Sequence, residues 1–273
     1  MIKTHSAWKK IEHFDAYNFW NKISDSYFKY LYGSFKENQY LLNILRDEKL
    51  NIAEIGCAVG YGKRFLNLNK LKNLYVGYDI SNESIKNAKL LYGDELFHHI
   101  DENNLSEQII SKPFDVVYSR DTVPHQIDPY NFLNELIKMT KKHLILRLRT
   151  RDTGETILNH ELSCQLQPGD EWAPYIVLNY DELINFLKKT NRVTRIEVNR
   201  SYVVLGGQNF RYLEKALYMK KTKTAETSMN ITFDGSKESP MEIIETFDLE
   251  GHDFIKVKKV KTLFYKILNR IKL

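Results

Sequence analysis

Between residues 50 and 190 short apolar runs alternate with amphipathic stretches. Runs of strand length occur at Asn51–Ile55, Leu74–Tyr78, Phe114–Tyr118 and His143–Leu148, with a weaker one at Glu95–Ile100. Between them lie helical patterns. Ser81 or Asn82 is placed to cap a helix through Ile85, Ala88 and Leu91, and Asp128-Pro129 opens one carrying Phe132, Leu133, Leu136, Ile137 and Met139. Strand and helix in strict alternation predict an α/β fold, a mostly parallel sheet with helices on both faces.

The flanks read differently. Within 1–48, Trp8, Ile11, Phe14, Tyr17, Phe19, Trp20, Ile23, Tyr27, Tyr30 and Leu31 recur at roughly helical spacing and predict a helical cap or lid. Such an aromatic stripe either packs the cap onto the sheet or faces an acceptor, and packing is its commoner use. The α/β domain is expected over 49–221, with a Gly/Pro-punctuated insert at 150–178 before a helix opened by Asn179 and Asp181. Residues 222–253 are polar enough to predict a connection. In 254–273, Val257, Val260, Leu263, Phe264, Ile267, Leu268 and Ile271 form an apolar stripe flanked by basic residues, an amphipathic helix suited to an anionic membrane surface, to the core or to a second subunit.

Composition narrows the function. The formal net charge is +5, and the seven Lys and Arg residues after Asp253 exceed it, so the rest of the chain is near neutral to slightly acidic and no nucleic-acid-binding face is expected. Two cysteines, Cys57 and Cys164, stand in no metal or disulfide spacing, so no metal site is expected and a reducing cytoplasm fits. The N-terminus has no apolar core of a secretory signal, and no stretch approaches the about 18 apolar residues of a membrane span. The expected location is cytoplasmic; peripheral attachment at the inner membrane face follows if 254–273 meets lipid rather than the core or a second subunit.

The densest signal is Ala53-Glu54-Ile55-Gly56-Cys57-Ala58-Val59-Gly60-Tyr61-Gly62, a strand turning through small residues into a helix. It resembles motif I of class I S-adenosylmethionine-dependent methyltransferases, an acidic residue followed by a glycine-rich turn, with Ala58 where the family usually has its middle glycine. Val76-Gly77-Tyr78-Asp79 and the stretch from Phe114 through Asp121 and His125 extend the resemblance over roughly residues 50 to 150, although the usual Lys-Pro-Gly-Gly turn is replaced by Thr140-Lys141-Lys142-His143. The glycines are not spaced as the G-x-G-x-x-G of dinucleotide-binding enzymes. The resemblance implies a Rossmann-like fold and S-adenosylmethionine as cofactor, with Glu54, Gly56, Ala58, Gly60 and Gly62 around its amino-acid end, Asp79 on the ribose hydroxyls and Asp101 on the adenine amine.

A sulfonium carries its own leaving group, so transfer to a hydroxyl needs alignment and removal of one proton. His125, in the loop after the fourth strand, is the first candidate base and Asp121 the second; His125 as a purely loop-shaping residue stays open. No Asn/Asp-Pro-Pro-aromatic motif follows that strand, which disfavours methylation of nucleobase amines. Arg149 and Arg151, at the end of the fifth strand, suit an anionic acceptor, and His160, Trp172 and Tyr175 in the insert give it a carbohydrate-like lining. The expected activity is O-methylation of a sugar or phosphorylated sugar in glycan biosynthesis. A small polar metabolite as acceptor, or a non-catalytic cofactor-binding subunit, are the alternatives; oligomeric state is not legible.

Overall fold

The computed structural model describes residues 8–9, 18–101, 105–109, 113–159, 162–167, 171–202, 211–212, 223–234 and 241–248. Its centre is a mostly parallel sheet. β1 (Asn51–Ile55), β2 (Leu74–Asp79), β3 (Phe97–His99), β4 (Phe114–Arg120) and β5 (Thr140–Arg151) run parallel in the order β3-β2-β1-β4-β5. Beyond β5 come β11 (Thr224–Phe233), antiparallel to both neighbours, then β9 (Val193–Ser201) and, parallel to it, β12 (Glu242–Asp248). The short β8 (Leu178–Asn179) pairs with the end of β5.

Successive strand residues face opposite sides, and the two faces bury separate apolar clusters. Ala53, Ile55, Val117, Leu144 and Leu146 meet α6 (Leu105–Ile109), α7 (Pro129–Met139) and α8 (Tyr180–Lys188) on one side. Ile52, Val116 and Ile145 meet α3 (Lys36–Asp47), α4 (Tyr61–Leu68) and α5 (Asn82–Tyr92) on the other. This is the Rossmann-like arrangement expected. Side-chain caps start four of the described helices: Ser24 accepts from the Tyr27 N–H, Ser81 from Ser84, Asp128 from Asn131 and Asn179 from Glu182. α1 (Asn18–Lys22), α2 (Asp25–Gly33) and the start of α3 pack Phe19, Phe28, Leu31, Tyr32 and Phe35 against Phe65 of α4.

Three features depart from the sequence reading. Thr140 caps α7 and begins β5 directly, its Oγ1 donating to the Leu136 carbonyl at 2.7 Å, so Thr140-Lys141-Lys142-His143 is strand rather than turn. The insert holds an antiparallel hairpin of β6 (Cys164–Gln167) and β7 (Glu171–Pro174), extended by β10 (Arg211–Tyr212). The expected polar connection at 222–253 is corrected most strongly: it supplies β11 and β12, and β11 is almost wholly buried. Buried Thr, Asn, Ser and Glu find polar partners there, Thr227 in Thr150 at 2.6 Å and Asn230 in Glu197 at 2.6 Å across strands, Ser228 in Glu37 of α3 and Glu226 in Arg147. The amphipathic segment 254–273 lies outside the described residues. Among the described residues no helix is long and apolar enough to cross a membrane.

Candidate active site

A cavity of about 190 Å³ opens at the C-terminal ends of β3, β2, β1 and β4, lined by Glu54, Gly56, Ala58, Asp79, Asp101, Arg120, Asp121, Thr122 and His125 and walled by Trp8, Trp20, Tyr32, Tyr61 and Phe132. Open α/β sheets bind ligands at this edge. The turn after β1 is tied to β2 by the Gly56 and Cys57 amides, which donate to the Tyr78 carbonyl at 2.8 and 3.1 Å. Gly56 and Gly60 take φ of +80° and +85°, and Ala58 holds +47° despite its β-carbon. Gly62 has another role: a β-carbon there would sit 2.1 Å from Glu54 Oε2, so its absence makes room for the carboxylate itself.

Glu54 is only 3 % exposed and accepts a hydrogen bond from the Tyr75 hydroxyl. Burial pushes its carboxyl up to about 8, and the Tyr75 bond and the Arg120 charge offset this only in part. A buried carboxyl at a cavity wall is suited to a cationic ligand group, whose charge would restore ionisation. Asp79 is anchored at both oxygens, Oδ2 accepting from the Ala58 N–H and Oδ1 from the Ser81 N–H, each at 2.8 Å. Each oxygen keeps a second lone pair for a diol. Asp101, past β3, is exposed at the cavity.

After β4 the chain turns through Asp121, at φ +57°, into a 3-10 turn Val123–His125. Asp121 meets Arg147 at 3.2 Å and Arg149 at 3.0 Å. Burial would raise its carboxyl, but Arg147, Arg149 and Arg120 outweigh it and hold Asp121 well below the usual carboxylate range. So weak a base is poorly suited to proton abstraction; the other candidate is His125. Its Nδ1 lies 2.9 Å from the Pro174 carbonyl, which can only accept, so Nδ1 carries the hydrogen and Nε2 the lone pair of the neutral ring. Trp8 lies against the imidazole at 4.3 Å and Tyr175 at 5.5 Å.

The residues expected at the acceptor are not all brought together. Arg149, 5 % exposed, is paired with Asp121 and Glu226. Arg147 joins Glu226 at 3.2 Å, and Glu37, from α3, lies 2.8 Å from Arg120 and accepts from Ser228 at 2.8 Å. Three arginines thus face three carboxylates, and the arginine-rich strand end is neutralised inside the protein. Arg151 is buried near Gly154 and lines no part of the cavity. Tyr175 backs His125 without reaching the cavity wall. His160 and the Trp172 side chain lie outside the described residues. Trp8 and Trp20, from the stripe read chiefly as packing, line the cavity together with Tyr32, and Glu37 and Glu226, which balance the charge of Arg120, Arg147 and Arg149, carried no sequence signal of that role. Among the described residues no acidic, histidine or cysteine cluster is arranged to hold a metal.

A Rossmann-like sheet with an acidic, glycine-turned β1 end and a second carboxylate at β2 defines the class of S-adenosylmethionine-dependent methyltransferases. Residues 53–146 match the family model described as a methyltransferase domain, which supports an S-adenosylmethionine-dependent methyltransferase. Magnesium protoporphyrin IX methyltransferase (ChlM) from Synechocystis PCC 6803, with bound S-adenosylhomocysteine, is similar in fold, with a TM-score of 0.50 and 14% identity over 83% of this chain and 97% of that one. The N-terminal domain of EvdMO1, crystallised with S-adenosylhomocysteine and D-fucose, gives a TM-score of 0.51 and 14% identity over 72% of this chain and 81% of its own. No curated protein matches the chain by sequence.

Proposed function

We propose that the chain methylates a hydroxyl of a sugar in a surface glycan or its precursor, with His125 as proton acceptor. The bound cofactor supplies an electrophilic methyl and its own leaving group. Glu54 holds its ammonium, the Gly56–Gly60 turn lets the backbone come close, Asp79 takes the ribose hydroxyls and Asp101 the adenine amine. The observation that carries the acceptor chemistry is the His125 tautomer: Pro174 takes the Nδ1 hydrogen and makes Nε2 the unprotonated nitrogen of a ring that lines the cavity. Trp8, Trp20 and Phe132 supply ring faces on which a sugar can stack while its hydroxyls reach His125 and Gln126. The neutralised Arg149 removes the main support for a phosphate on the acceptor and favours a neutral sugar. The crystallisation of the EvdMO1 domain in the presence of D-fucose accords with that choice.

The test is mass spectrometry of surface polysaccharides and soluble nucleotide sugars from cells with and without the gene. The reading expects one sugar to lose 14 mass units, roughly one methylene, in the deletion. A methyl lost instead from a small non-sugar metabolite, with every glycan unchanged, overturns it.

A further inference from the structure

β3, β2, β1 and β4 are parallel neighbours in that order, so residues at their ends stand in a line with about 4.8 Å per strand. Along that line the cavity wall presents Asp101, Asp79, Glu54 and then Arg120, three carboxylates followed by a guanidinium. Arg120 is held rigidly. Its Nε donates to Glu37 Oε1 at 2.8 Å, and its guanidinium lies 4.7 Å from the Tyr32 ring centre and 4.4 Å from that of Phe35. Glu37 is in turn fixed by Ser228 at 2.8 Å and lies 3.8 Å from Arg147. The Arg120 side chain is 15% exposed, and among the described residues neither of its terminal nitrogens has a hydrogen-bond acceptor. A guanidinium that uses one edge for structure and keeps two donors for a cavity is a preformed fork for a carboxylate.

We propose that Arg120 binds the α-carboxylate of the cofactor's amino-acid tail while Glu54 binds its α-ammonium, so that β1 and β4 together recognise the zwitterion. This rests on the cofactor reading above. An amino-acid end needs one anionic and one cationic partner side by side, and adjacent strands supply them at the point where the row changes sign. Asp121 is the nearest competing anion in sequence, and it is already paired with Arg147 and Arg149.

Calorimetry of the whole chain with three ligands tests the assignment. They are S-adenosylhomocysteine, its decarboxylated analogue and 5′-methylthioadenosine, which lacks the entire amino-acid tail. Wild type should bind S-adenosylhomocysteine about 10- to 100-fold more tightly than the decarboxylated analogue, the worth of one charge-assisted fork. In Arg120→Met that preference should vanish while 5′-methylthioadenosine still binds within about threefold of wild type. Arg120→Lys, which keeps the charge beside Glu37 but not the fork, should give an intermediate preference, and it decides the matter if Arg120→Met fails to fold. Equal binding of S-adenosylhomocysteine and its decarboxylated analogue by wild type overturns the Arg120 assignment and leaves the cofactor site standing. A preference retained in both variants, or retained alongside a raised KM for the acceptor, moves Arg120 to an acceptor anion and overturns it too. Failure of all three ligands to bind wild type overturns the cofactor reading itself.

Discussion

Glu54 is a carboxyl group held against its own solvation. Unfolded it titrates at 4.5 and folded at about 8, so the folded protein holds the proton more tightly. The stability this contributes is complete below pH 4.5 and is lost as pH rises through about 8. Glu54→Gln keeps a hydrogen-bond partner for Tyr75 and has no charge to bury. It should raise the melting temperature of the ligand-free protein at pH 8 far more than at pH 5, while weakening S-adenosylhomocysteine binding at least about tenfold. Thermal melts across that range check it; a variant less stable than wild type at pH 8 would mean the carboxylate is solvated. Because Glu54 enters the complex ionised, binding at pH 7 should also release a proton, measured by calorimetry in buffers of different ionisation enthalpy. At His125, replacement by Ala should lower turnover roughly 100-fold with cofactor affinity intact. A matching loss of affinity would instead make His125 a loop-shaping residue.

At the scale of elements, β5 and β11 explain one another. β5 carries Arg147 and Arg149 into the sheet, β11 returns Glu226, and α3 brings Glu37 from the cap. Glu226→Leu leaves both guanidiniums short of a counter-charge and should cost about 3–5 kcal/mol in urea unfolding. Adding Arg149→Met should recover part of that loss, because a buried pair replaced by apolar groups is tolerated better than half a pair. If Arg149 served the acceptor, Arg149→Met alone would raise KM and leave stability unchanged.

Across the whole molecule, β12 ends at Asp248 and the basic amphipathic segment follows. Truncation at Gly251 removes no described strand, and the membrane reading of the segment expects an unchanged melting temperature. If 254–273 binds lipid, the same truncation should abolish salt-sensitive sedimentation with anionic vesicles, each near-surface lysine contributing about 1 kcal/mol. A large drop in melting temperature, with no vesicle binding by the intact chain, would assign the segment to the fold instead.

The local sequence was sufficient where local physics decides. Asn51–Ile55 is β1 residue for residue, because an apolar run ended by a glycine turn has few other uses, and Ser81, Asp128 and Asn179 cap the helices as their side chains allow. Glu54, Asp79 and Asp101, which the family resemblance implied for one site, line one cavity. What lay beyond reach was every property set by a distant partner. β11 reads as polar linker until its neighbours are present to pair with it, and Arg149 reads as an anion site until Asp121 and Glu226, brought in from other strands, neutralise it. Asp121 loses its basicity to charges 26 and 28 residues away in sequence, and Arg120 gains its fixed orientation from Glu37 and Ser228, which the chain brings together across 191 residues. Side-chain type sets which interactions a residue can make; only the tertiary structure decides which of them are already taken.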